Sequence, residues 1–151
     1  MTAKTMLLSC VFAATATHSF AQVADVQQYW TSASESKAMN VIADAFKAKG
    51  GTWIDSPSAD YDSTIAAATS RIVGGEPPSA VLMTPNGAML DLAEGGILRS
   101  LNDLRDAEGW QASLAPLIYE RVTVDGDMVA LPLGVHADNW IWYNTRFTSR
   151  L

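Results

Sequence analysis

Tyr29-Trp30-Thr31-Ser32-Ala33-Ser34-Glu35 sets two aromatic rings directly ahead of a row of hydroxyls and a carboxylate. An aromatic face can stack on the apolar face of a pyranose ring, a contact worth about 1 kcal/mol beyond the area it buries. The hydroxyls and the carboxylate can hydrogen-bond a neutral polyol, and bonds to a charged acceptor are among the stronger ones, at about 1.5–3 kcal/mol. The grouping suits recognition of a molecule such as a sugar. A second reading stands beside this one. Ser32-x-x-Glu35 is also a capping-box pattern, in which the glutamate reaches back to the serine backbone to close the first turn of a helix. Glu35 is open to both readings, Thr31 shares the ambiguity, and capping is favoured for Ser32. Strand alternation would likewise turn one of Tyr29 and Trp30 into the core.

Three further residues have types suited to a polar ligand. Thr84 and Asn86 sit in Met83-Thr84-Pro85-Asn86-Gly87, where Asn86 can donate and accept or can cap a helix. His136 could bond a ligand or a neighbouring residue, or serve structure alone. It is the sole histidine after the first 21 residues, which excludes a zinc site built on several histidines. Glycoside hydrolysis needs two carboxylates about 5–9.5 Å apart across the bond, and Glu35 has no evident partner. Gly-x-Ser-x-Gly, the nucleophile elbow, is absent from the sequence. No catalytic residue, metal or cofactor is assigned; an exported carbohydrate-active hydrolase fragment is the alternative reading.

Composition bounds these readings. With 151 residues, 48% hydrophobic and 17% charged, the chain is globular and about one domain long. Lys4, the uncharged and mostly apolar run Met6 to Thr17, and Ser19-Phe20-Ala21 form an export signal expected to be cleaved, residues 1–21. The run is too short to cross a bilayer, which takes about 20 residues. Cys10 lies inside it, so the mature chain has no thiol for catalysis, metal binding or a disulfide and must rely on a buried core. Losing Lys4 leaves 9 basic and 16 acidic residues, a net of -7. Such a chain is a poor partner for nucleic acid or anionic lipid.

The elements that must position the candidate residues follow in order. Val23 to Trp30 reads as a strand, and Ser34 to Lys49 as a helix with Ala38, Val41, Ile42, Ala45 and Phe46 on its apolar face. Gly50-Gly51 ends it. Thr52 to Ile54 is a second strand, and Tyr61 to Val73 a helix facing inward through Ile65, Ala68, Thr69, Ile72 and Val73. Gly74-Gly75-Glu76-Pro77-Pro78 stops that helix. Ala80 to Met83 is a third strand, and a helix runs from Pro85-Asn86 to Glu94 with Met89, Leu92 and Ala93 inward. Short helical pieces are expected at Leu101–Leu104 and Trp110–Leu114, and a helix at Ala115–Tyr119. Asp125-Gly126 joins Arg121–Val124 to Met128–Leu131 as a hairpin. Aromatic-rich Gly134 to Asn144 reads as a buried strand. Strands alternating with helices over short loops predict a mostly parallel sheet with right-handed crossovers. In such sheets ligands bind beyond the carboxyl ends of the strands, which is where Tyr29 to Glu35 and Thr84 to Gly87 fall.

Taken together, several motifs carry a resemblance. They are the aromatic-Trp-Thr-Ser-x-x-Glu turn, Gly-Gly-x-Pro-Pro before an apolar strand, Ala93-Glu94-Gly95-Gly96-Ile97-Leu98, Ala130-Leu131-Pro132-Leu133 after the hairpin, and Asn139-Trp140-Ile141-Trp142-Tyr143-Asn144. With the export signal, and in this order, they resemble the periplasmic sugar-binding proteins of ABC transporters, most closely the glucose and mannose binders. The resemblance implies two α/β lobes joined by a hinge, a sugar closed between them, an inner-membrane permease as partner and no covalent chemistry. It favours ligand contact for Glu35 and places Asn139 and Trp140 on the hinge side of the cleft, with Trp142 and Tyr143 in the core. It covers only the amino-terminal portion of such a protein. Residues 22–144 are therefore expected to form a periplasmic-binding-protein-like lobe that includes the first crossover strand, with the second lobe missing and 145–151 a truncated tail. Binding by one lobe alone is expected to be weak or absent. Met83 to Gly87 lacks the lysine that glucose-binding relatives tend to carry there, so the sugar is not specified.

Overall fold

The computed structural model describes residues 22–135. Its elements are β1 (Val23–Gln28), α1 (Ala33–Ala48), β2 (Thr52–Pro57), α2 (Tyr61–Val73), β3 (Ala80–Val81), α3 (Gly87–Glu94), α4 (Asn102–Glu108), α5 (Trp110–Ser113), α6 (Pro116–Arg121), β4 (Thr123–Val124) and β5 (Asp127–Met128). The protein is α/β, with a parallel three-stranded sheet flanked by helices, as the alternation of elements predicts. The chain forms two compact units that divide between Leu82 and Met83. The export signal of residues 1–21, most of the strand expected over 134–144, and the tail 145–151 lie outside the described residues.

In the first unit β1 is the central strand of the order β2-β1-β3, and both pairings are parallel. Val23 lies beside Thr52 and Gln28 beside Pro57, so β2 runs three residues past the expected end at Ile54. Proline is tolerated there because β2 is an edge strand and Pro57 its last residue. Alternation splits β1 cleanly. Asp25 and Gln27 face α2; the Asp25 carboxylate accepts from the two terminal Arg71 guanidinium nitrogens, at 2.5 Å and 3.2 Å, and from the Ser56 hydroxyl of β2 at 2.9 Å. The Arg71 hydrogen bonds hold the Asp25 carboxyl below its ordinary range, against the opposing effect of burial and with lesser help from Ser56. Trp53, on the other face of β2, meets the Phe46 ring of α1 edge-on at 6.2 Å. The two helices therefore cover opposite faces of the sheet.

The rotation of α1 departs from the expected face. Met39 and Ala43 are buried and Phe46 half-buried, while Val41 is 71% exposed, Ile42 38%, and Ala38 and Ala45 are exposed. Two anchors set that phase. The cap at Ser32 fixes where the helix starts, and the Phe46–Trp53 contact fixes which side of its last turn meets the sheet. Ser36, Met39, Ala43 and Phe46 then form the inward stripe, with the small Ser36 and Ala43 letting the backbone approach. In α2, Thr64 and Ala68 are buried and Ile65 and Ile72 half-buried, but Thr69 and Val73 face solvent. Thr64 can be buried because its hydroxyl bonds the Asp60 carbonyl at 2.9 Å, leaving nothing unpaired.

The second unit gathers α3 to α6 around the β4–β5 hairpin. Asp125 and Gly126 both take positive φ, 50° and 89°, the primed turn that the Asp-Gly pair predicts. Met128 is fully buried, its amide held by the Asn102 side chain at 3.0 Å and its carbonyl by the Leu101 amide at 2.7 Å. Asn102 and Ser100 also bond the Asp127 carboxylate, which locks the start of α4 to the hairpin.

Candidate functional site

The carboxyl ends of β1 and β2, with the starts of α1 and α2, bring together Gln28, Tyr29, Trp30, Thr31, Ser32, Glu35, Asp55, Ser58 and Tyr61. β1 ends at Gln28, two residues short of the expected end, so neither Tyr29 nor Trp30 is a strand residue and neither is driven into the core by alternation. Both are half-buried. Tyr29 packs edge-on against Tyr61, the first residue of α2, with ring centroids 5.8 Å apart and planes at 83°. Partial burial, then the nearby Tyr61 and Glu35, push the Tyr29 phenol above its ordinary range, so it stays a neutral donor at any physiological pH.

Trp30 is held through its backbone. Its N–H donates to the Gln28 side-chain carbonyl, and its own carbonyl accepts from the Ser36 hydroxyl at 3.4 Å. Gln28, only 2% exposed, uses its amide nitrogen on Asp55 Oδ1 at 3.0 Å. Gln27, on the opposite face, donates to Ser58 Oγ at 2.8 Å, and the Ser58 amide bonds the Gln28 carbonyl at 2.7 Å. Two buried glutamines thus tie the turn after β2 to β1, through Gln27 and Ser58, and the turn after β1 to β2, through Gln28 and Asp55.

Ser32 is the N-cap of α1, and the capping box is formed. Glu35 Oε2 accepts from the Ser32 hydroxyl at 2.6 Å and its amide at 3.2 Å, and the Glu35 amide returns to Ser32 Oγ at 3.4 Å. Both bonds to the carboxylate use Oε2. The capping and ligand-contact readings of Glu35 are therefore geometrically compatible, since a carboxylate has a second oxygen with lone pairs of its own. Thr31 and Ser32 are exposed beside it.

Thr84 and Asn86 belong to the second unit and are exposed at the start of α3. Asn86 is its N-cap, accepting from the Ala88 amide at 3.1 Å. His136, Asn139 and Trp140 lie outside the described residues. Sequence reasoning missed Gln28, Asp55, Ser58 and Tyr61. The signal was present in Gln27-Gln28, two amides at the end of a strand whose neighbours bury them, and in the polar loop that places Tyr61 directly after Asp60.

No protein-family model matches the chain. The chain is 32% identical over 142 residues to a "probable sugar-binding periplasmic protein" of Rhizobium meliloti, covering 93% of this chain and 34% of that protein. Proteins of the same description from Brucella melitensis and Mesorhizobium japonicum are 33% and 32% identical over 125 and 128 residues, each covering 82% of this chain and 30% of theirs. The chain thus spans about a third of the length of these curated relatives. Their names describe binding proteins, not enzymes. By sequence, the chain is a homologue of the probable sugar-binding periplasmic proteins, matching about a third of their length.

Proposed function

We propose that the chain provides one wall of a sugar-binding cleft in the substrate-binding component of a periplasmic ABC importer, with a mono- or oligosaccharide as ligand and an inner-membrane permease as partner. The observation that carries the reading is the cluster at the carboxyl ends of β1 and β2. It sets two half-buried aromatics beside exposed hydroxyls and a carboxylate with one oxygen outside the capping box. Trp30 offers a ring to stack on, while Tyr29, Thr31 and Glu35 Oε1 offer hydrogen bonds, with Ser32 presenting Glu35. Thr84, Asn86, His136, Asn139 and Trp140 are proposed as further contacts. The relatives' names agree with this reading, and no helix among the described residues is long and apolar enough to cross a membrane. Residues 1–21 are proposed as the export signal; amino-terminal sequencing of secreted protein beginning at Gln22 would agree with it.

Binding by the 151-residue chain alone is weak, because one wall leaves most of a sugar in water. Isothermal titration of residues 22–151 with glucose, mannose and other hexoses tests this. The expected dissociation constant is about 1 mM or weaker, and micromolar affinity would overturn the one-wall reading. Glu35 gives a sharper test. Glutamine also serves in a capping box, so Glu35→Gln should leave the thermal midpoint nearly unchanged. It should weaken sugar binding about fivefold, the roughly 1 kcal/mol between a charged and a neutral acceptor. Unchanged affinity would leave Glu35 with the cap alone.

A further inference from the structure

We propose that Gln28 is the positioning residue for the Trp30 ring; the functional meaning of this rests on the sugar-wall reading, but the geometry does not. Trp30 lies two residues past the end of β1, so neither β2 nor β3 pairs its peptide groups. Side chains hold both instead: Gln28 accepts from the Trp30 N–H, and Ser36 donates to the Trp30 carbonyl. A backbone direction held at both ends fixes where Cβ points, and so the base from which the ring projects.

Glutamine is the residue type this place requires. Gln28 is 2% exposed, and it must accept from Trp30 and donate to Asp55 Oδ1 at once. Leucine satisfies neither partner and leaves a backbone N–H without an acceptor. Glutamate can still accept from Trp30 but sets a carboxylate against that of Asp55. Asparagine is one methylene too short to span both. The Asp55 end anchors the side chain to β2, so the orientation of the platform is referred to the sheet and not to a free loop.

The test labels the chain with fluorotryptophan and follows fluorine NMR, the Trp30 resonance being assigned through Trp30→Phe. Trp53 in the sheet and Trp110 in the second unit serve as internal references. Gln28→Leu and Gln28→Glu should each shift or broaden the Trp30 line while leaving that of Trp110 in place. Combining Gln28→Glu with Asp55→Asn reverses the donor and acceptor between positions 28 and 55, and it should return Trp30 towards its native shift. A Trp30 line unmoved by either single change, or moved together with Trp53 and Trp110, or not recovered in the double variant, would overturn the assignment. Hexose titrated into the unsubstituted chain is a separate arm. If no sugar perturbs Trp30, the sugar-wall reading fails while the positioning result stands on its own.

Discussion

At the level of single residues, polar side chains close the element ends. Ser32 closes α1 through its hydroxyl and presents Glu35 at the same time. Ser32→Ala should lower stability by about 1 kcal/mol, read as a reduced urea midpoint at unchanged slope, with Ser32→Asp recovering most of it. Asp25 carries a pH signature. Its carboxyl is held below the ordinary carboxylate range, chiefly by Arg71, so the unfolded chain takes up its proton first as pH falls. The stabilisation from the pair is complete above about pH 4 and is lost as pH drops through the folded value. Urea unfolding of the native chain and of Arg71→Gln should therefore differ at neutral pH and converge below about pH 4. A constant gap across that window would show that Arg71 acts through packing alone.

Among the elements, the limits of α2 and the Asp-Gly hairpin were legible in the sequence because local chemistry decides them. Asp60 caps α2 by accepting from the Ser63 amide at 2.8 Å, Gly74 ends it, and the primed turn needs the residues it has. The inward face of α1 was not legible. Ala38-Val41-Ile42-Ala45-Phe46 and Met39-Ala43-Phe46 both recur at helical spacing and share Phe46, and composition alone favours the stripe with the larger aliphatic side chains. Docking of Phe46 on Trp53 selects the other. Gly51 shows how tight that docking is, since a Cβ there would overlap the Phe46 ring. Gly51→Ala should displace the ring and cost about 1–3 kcal/mol, with a matching change in Trp53 fluorescence. An unperturbed Trp53 would mean that the helix end yields without cost.

For the whole molecule, exposure and charge pull in different directions. Val41 and Val73 are 71% and 83% exposed, with Leu117 at 63%, while the chain carries a formal net charge of -6. Like charge opposes association and is screened by salt, whereas apolar burial is not. Sedimentation of the isolated chain should show association that rises with protein concentration and with added salt; a monomer throughout would show these residues to be ordinary surface. What the sequence by itself determined is the α/β alternation, the caps and turns, and the collection of sugar-compatible groups between Tyr29 and Glu35, because each depends on residues a few positions apart. Only the tertiary structure decided which face of α1 is buried, that β1 stops at Gln28, and that the glutamines of β1 clasp Asp55 and Ser58. The glutamine clasps join residues some thirty positions apart, where strand register and the need to pair every buried amide settle what local pattern leaves open.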